Sequence, residues 1–216
     1  KVLHHDEATA ALARLDAVLI GGGPIPAAVA EPAVAAGINV VRTYGMSETA
    51  GGCVYDGLPL EGVRVRIEGD DDNPGRVWLA GPQVALGYRN APDHPAFARE
   101  GWFRTDDAGT VAADGRLRIL GRLDEAISVG GLTLLPQIVE DALRRHEAVV
   151  DVVVVGIPDA RLGARPVAAV TLRSPVGADE LRAHVTGLLG AHSAPAAVAV
   201  LDALPVLPGG KVDRRS

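Results

Sequence analysis

Lysine is almost missing from this 216-residue chain: it occurs only at Lys1 and Lys211, and arginine supplies nearly all the basic charge. Drift in an arginine-biased background accounts for Lys1, but an only interior lysine on a Pro/Gly-rich segment needs a further reason. Cysteine is equally scarce. The single Cys53 excludes an intrachain disulfide framework and a cysteine zinc cluster, and it suits a reducing compartment, so a cytoplasmic location is expected. There is no basic block, and the net charge is −6, which argues against nucleic acid as the main partner. Long apolar runs are also absent. The stretch Val149 to Ile157 is interrupted by Asp151 and falls well short of the roughly 20 residues that a membrane span needs. No signal peptide is visible. What is present is a 48% hydrophobic composition, enough to build the core of one large domain or two smaller ones. The first residue is not Met and Leu12 to Ile20 runs directly into an apolar strand, so the chain is expected to be the inside of a longer protein.

Hydrophobic patterning divides the chain into three regions. Asp16 to Ile20 reads as a strand, Gly21-Gly22-Gly23-Pro24 as a loop, Ala27 to Ala36 as a helix and Asn39 to Arg42 as a second strand, the signature of a parallel α/β layer. Ligands gather at the carboxyl ends of such strands, where the loop Thr43 to Thr49 is expected. From Gly57 to Leu120 the pattern becomes strand alternation, with Val63, Val65 and Ile67 set against Arg64, Arg66 and Glu68. Turn clusters at Asp70 to Gly75 and Asp114-Gly115 divide it into short strands, predicting a small antiparallel sheet or barrel. After a boundary at Leu123-Asp124, a Gly130-Gly131 hairpin, a helix from Pro136 to His146, strands at Val149 to Ile157 and Val167 to Leu172, a helix from Asp179 to Leu189 and a strand near Ala197 to Leu201 predict a small α+β unit.

Five segments can carry chemistry. Gly22 and Gly23 let backbone approach a ligand closely, although a plain strand-to-helix turn explains them as well. Tyr44-Gly45-Met46-Ser47-Glu48 combines an aromatic face, a permissive glycine, a hydroxyl and a carboxylate after a strand, a set suited to a base, a phosphate and a hard cation. Asp106-Asp107 follows Trp102 and Phe103; a carboxylate accepts hydrogen bonds from a ribose diol, and an ordinary turn is the alternative. Gly121-Arg122-Leu123-Asp124 sets a phosphate-seeking guanidinium beside the boundary, where a surface ion pair is equally compatible. The last is Pro205 to Arg214, with two prolines and two glycines delivering Lys211; the alternative is a solvated tail lysine.

In this order and at these separations the segments resemble the adenylate-forming superfamily of acyl-CoA synthetases, luciferases and peptide-synthetase adenylation domains. Tyr44 to Glu48 matches its YGxTE segment with serine for threonine. Asp107 matches the aspartate of TGD, with Asp106 where the family has glycine, Gly121 to Asp124 matches the GRxD hinge, and Lys211 matches the lysine of PxxxxGK. Ser128 stands where many members carry lysine after the hinge. The family's Ser/Thr/Gly-rich phosphate loop ending in Pro-Lys-Gly is not in this sequence and is expected upstream. Longer stretches, Leu15 to Pro24, Val41 to Gly57 and Asp124 to Gly131, resemble o-succinylbenzoate-CoA ligases, the acid activators of menaquinone biosynthesis.

The resemblance implies α/β plus α+β architecture: residues 1–56 as the end of the α/β nucleotide-binding layer, 57–123 as a small β-barrel-like subdomain, and 124–216 as a mobile lid. It implies Lys211 and Ser47 as catalytic residues. It gives Gly22, Gly23, Tyr44, Gly45, Met46, Asp107 and Arg122 to the nucleotide, Glu48 to Mg2+, Asp124 to the hinge, and Gly130 and Gly131 to the CoA side. The cofactors and partners are ATP/AMP, Mg2+, coenzyme A, a small carboxylic acid and the upstream portion of the same enzyme, with a homo-oligomer left open. Rival readings are a ligase for another aryl or fatty acid, a carrier-loading adenylation domain, and a fragment that binds without turnover.

Overall fold

The computed structural model describes residues 3, 5–23, 27–69, 74–208 and 212–214, and the chain divides into two compact units, Lys1–Ile119 and Leu120–Ser216. The first opens with helix α1 (Asp6–Leu12), strand β1 (Val18–Ile20), helix α2 (Ala27–Ala35) and strand β2 (Val40–Met46). Parallel pairing of β1 with β2, Val18 to Val40 through Ile20 to Arg42, completes the strand, helix, strand path. β2 runs four residues beyond the predicted end at Arg42, so Thr43 to Met46 are strand where a loop was expected. The reason is a partner distant from the local pattern: β3 (Gly51–Tyr55) pairs antiparallel with Thr43 to Met46, and β4 (Leu58–Pro59) pairs with β3. Only Ser47–Thr49 remains as a single 3-10 turn.

The rest of this unit is an antiparallel sheet in the order β5 (Arg64–Ile67), β6 (Gly75–Ala80), β7 (Trp102–Val111) and β8 (Leu117–Arg122), the last running across the division between units. Its core gathers Ile67, Val77, Leu79 and Leu117 with Cys53 and Val54 of β3, and Tyr44 and Met46 pack against this cluster. Cys53 is 1% exposed, and burial raises its thiol pKa.

In the second unit, strands β9 (Ile127–Val129) and β10 (Leu132–Leu134) form the expected hairpin. Gly130 and Gly131 have φ of 58° and 86°, the left-handed pair that a two-residue hairpin turn demands. Helix α3 (Pro136–Arg144) begins on a proline, β11 (Val149–Asp159) and β12 (Gly163–Leu172) form a long antiparallel pair, and α4 (Ala178–Leu189) leads to β13 (Ala197–Val200), which joins β12 in parallel. Val139 and Leu143 of α3 and Leu181 and Val185 of α4 bury against Val152, Val154, Ala168 and Val170 of the sheet. Burial along α3 does not follow hydrophobicity at two positions. Ile138 is only half-buried, whereas Glu140 is 2% exposed. No helix among the described residues is long and apolar enough to cross a membrane.

Candidate functional site

In the first unit the backbone decides which of two adjacent carboxylates turns inward. Side chains alternate along β7, so Phe103, Thr105 and Asp107 share the buried face and Asp106 points out. Asp107 is therefore strand, not turn, and 7% exposed. The Thr105 hydroxyl donates to Val77 O at 2.8 Å and accepts the Asp107 N–H at 3.1 Å. Arg76 anchors the same stretch, its Nη1 donating to Thr105 O at 2.7 Å and to Asp106 Oδ1 at 2.8 Å.

The strand end at Tyr44 meets this carboxylate. Tyr44 Oη donates to Asp107 Oδ2 at 2.6 Å, a short charge-assisted bond. Burial, reinforced by the Asp107 charge and this bond, pushes the Tyr44 phenol pKa far up and keeps it protonated. Gly45 follows, for a reason the sequence did not reveal. A Cβ there would lie 1.9 Å from Gly51 O and 2.7 Å from Gly52 Cα, because the two paired strands lie too close for a side chain where their register shifts. The Met46 N–H donates to Thr49 Oγ1 at 2.9 Å, closing the 3-10 turn. Ser47 is exposed at the head of that turn, and Glu48 is half-buried behind it.

Glu48 is held from a distance in sequence. Tyr88 Oη donates to Glu48 Oε1 at 2.5 Å, and the Ala85 N–H donates to Glu48 O at 2.8 Å. The bond to Glu48, then burial and the Glu48 charge, push the Tyr88 phenol up to about 12. Tyr88 also stands edge-on to His94 and Phe97, with centroids 4.8 and 5.2 Å away. Glu48 Oε2 makes no hydrogen bond among the described residues, and these residues contain no cluster of three or more potential metal ligands. A lone carboxylate oxygen of this kind fits Mg2+, which keeps most of its waters and completes its shell with substrate phosphates. Gly22 and Gly23 lie exposed beyond β1, with nothing within 4 Å of a Cβ built on either. Tyr44, Asp107, Ser47 and Glu48 are thus linked through one strand end, with Tyr88, Thr105 and Arg76 supporting them. Those three carried no local signal, since each acts across a turn or a sheet.

In the second unit Arg122 grips Asp124 with a bidentate fork, Nε to Oδ1 at 2.9 Å and Nη2 to Oδ2 at 2.6 Å. These bonds hold the Asp124 carboxyl below its usual range against an opposing effect of partial burial. Gly121, at φ 150°, could not carry a Cβ without meeting Gln137 Oε1 at 2.3 Å. The Gly130-Gly131 turn is strapped down by the Gly130 N–H donating to Leu162 O at 2.9 Å. Lys211 lies outside the described residues; Val206 and Val212 on either side of it form a β-bridge.

Comparison with known proteins shows the family of the chain. The AMP-binding enzyme family matches residues 1–89, and the AMP-binding enzyme C-terminal domain matches residues 138–211. The chain belongs to this family of adenylate-forming enzymes. It is 52% identical to a probable 2-succinylbenzoate-CoA ligase of Mycobacterium tuberculosis, over 99% of this chain and 56% of that relative. A sulfoacetate-CoA ligase of Cupriavidus necator is 37% identical over 82% of this chain and 39% of its own length. Among solved structures, o-succinylbenzoate CoA synthetase of Bacillus subtilis in complex with the acyl-adenylate intermediate OSB-AMP is similar at TM-score 0.81 and 30% identity, covering 95% of this chain and 48% of that one. The chain spans about half the length of the relatives it matches.

Proposed function

We propose that the whole protein is an ATP-dependent, AMP-forming acid-CoA ligase whose acid is o-succinylbenzoate, working in the cytoplasm in menaquinone biosynthesis. The observation that carries the reading is the join of Tyr44 to Asp107 beside the Ser47-Glu48 turn, together with the 52% identity to a probable 2-succinylbenzoate-CoA ligase. A carboxylate oxygen of the acid attacks the α-phosphorus of ATP, the bond to the β-phosphate oxygen breaks, and pyrophosphate leaves. The CoA thiol then attacks the acyl carbon, loses its proton and displaces AMP.

Tyr44 lies along the adenine, with Gly22, Gly23, Gly45 and Met46 as backbone around the nucleotide. Asp107 takes the ribose hydroxyls through the carboxylate that also accepts the Tyr44 hydroxyl. Ser47 contacts phosphate, Arg122 assists at ribose or phosphate, and Glu48 holds Mg2+, which neutralises phosphate charge when bound. Lys211 stabilises the charge that develops during adenylate formation. Rotation at Asp124 then withdraws Lys211 and presents the Gly130-Gly131 turn to CoA, so that one site serves two steps with opposite needs.

The test is Lys211→Ala in the full-length protein. Pyrophosphate release should fall by roughly 100- to 1,000-fold, the effect of losing one positioned donor, while thioester formation from supplied o-succinylbenzoyl-adenylate survives. Near-normal pyrophosphate release removes the catalytic lysine. A panel with sulfoacetate, ferulate and fatty acids fixes the acid: preference for any of these over o-succinylbenzoate overturns the substrate assignment.

A further inference from the structure

The most buried carboxylate of the second unit is Glu140, and no step of the proposed reaction uses it. It accepts the Val154 N–H at 2.9 Å and takes both ends of the Arg214 guanidinium, Nη1 to Oε1 at 2.6 Å and Nη2 to Oε2 at 3.1 Å. Arg214 Nη1 also donates to Val154 O at 3.0 Å, so helix α3, the middle of β11 and the tail meet at one node. The third nitrogen reaches elsewhere: Arg214 Nε lies 3.3 Å from Glu125 Oε2, and Glu125 directly follows Asp124. Gln137, whose Nε2 donates to the same Glu125 oxygen, is the residue that fills the space left by Gly121. Burial works against the Arg214 charge, but Glu140 and Glu125 outweigh it and raise its pKa further, so it stays ionised. Two more ties sit on the approach to Arg214, the Val206 to Val212 bridge and the Asp213 N–H donating to Pro205 O at 2.8 Å.

We propose that Arg214 is a positioning residue for Lys211: by gripping Glu140 and Glu125 it fixes the tail that carries the lysine to the same body as the segment beside Asp124. The proposal rests on the reading that Lys211 acts in adenylate formation. A buried ion pair alone is weak evidence for stability, since apolar residues of similar volume often serve as well. A bidentate fork sets direction as well as distance, and it sits three residues from the lysine, with its remaining nitrogen on the residue after the hinge. A turn about Asp124 would carry Arg214 together with the segment beside the hinge only while this node holds.

The experiment uses the full-length protein with o-succinylbenzoate, ATP and Mg2+. It compares wild type, Lys211→Ala, Arg214→Lys, and the pair Arg214→Met with Glu140→Gln, which keeps an acceptor for the Val154 N–H and leaves no unpaired buried carboxylate. Pyrophosphate release, thioester formation from supplied acyl-adenylate, and the thermal midpoint are measured on each. The paired variant should release pyrophosphate about 10- to 100-fold more slowly, the scale of displacing a reacting group by about an ångström, with thioester formation and the midpoint kept. Arg214→Lys should show a smaller loss in the same half-reaction, and it decides the matter if the paired variant does not fold. Equal loss in both half-reactions means general damage and overturns the proposal. Unchanged pyrophosphate release beside a crippled Lys211→Ala overturns the positioning role alone, whereas an active Lys211→Ala removes the function reading and this role with it.

Discussion

Replacing Tyr88 with Phe removes one oxygen and keeps the ring in its edge-on contacts with His94 and Phe97. What is lost is the 2.5 Å bond to Glu48. Hydrogen bonds to charged groups contribute about 1.5–3 kcal/mol when well protected. Tyr88 is half-buried, so water recovers part of the loss and about 1 kcal/mol is expected, a drop of about 2–4 °C in melting temperature for a chain of this size. The pH dependence has a definite sign. The folded-state pKa is pushed up to about 12 from 10.0, so the phenol's contribution is complete below about pH 10 and is lost as pH rises from there toward 12, where the unfolded chain has released a proton that the folded one retains. The difference between wild type and Tyr88→Phe should therefore be largest near neutral pH and shrink on the alkaline side. Both tryptophans, Trp78 and Trp102, lie in the first unit, so urea unfolding followed by tryptophan fluorescence reads the unit that contains Tyr88. A midpoint unchanged at pH 8, or a difference that does not vary up to pH 11, would refute the claim that Tyr88 holds Glu48.

Gly45→Ala should destabilise the first unit by about 1–3 kcal/mol or more, because a Cβ 1.9 Å from Gly51 O must push two paired strands apart; an unchanged fluorescence midpoint in urea would show that the hairpin yields freely. Arg122→Ala should raise the Asp124 pKa toward its ordinary value, since bonds from Arg122 are the main cause of its depression; in wild type this contribution is present above about pH 4 and fades as pH falls through the lowered folded value. Carboxyl NMR titration of the two proteins measures it directly, and identical titrations would sink the assignment. AMP titrated against the chain should shift amide signals around Tyr44 to Glu48 and Asp107, and shifts confined to residues after Asp124 would contradict the nucleotide site.

Most element positions could be read from periodicity and turn chemistry. Gly130-Gly131 announced its hairpin, Pro136 the start of α3, and the alternation around Val65 and Ile67 a half-buried strand. What escaped depended on partners far along the chain. β2 extends to Met46 only because β3 returns beside it, and Asp107 finds its donor in Tyr44, 63 residues away. Glu140 was hidden for a related reason: a carboxylate on a helix face, four residues before Arg144, reads as a solvated ion pair until the fold brings Arg214 onto it as well. Gly45 was noted as a permissive residue for a ligand, whereas the close approach of Gly51 on the paired strand requires a glycine there whether or not a ligand binds.

The burial of Cys53 supplies the molecule with an internal clock. Its thiol is the chain's only one and sits within the core of the first unit, with burial disfavouring the reactive thiolate. An alkylating reagent can therefore reach it only during excursions that part β3 from the β5 to β8 sheet. Under native conditions, the ratio of the labelling rate to that of an unprotected thiol measures how often this unit opens. The second unit contributes no thiol to the signal, so the first unit's breathing can be timed by itself without adding a probe.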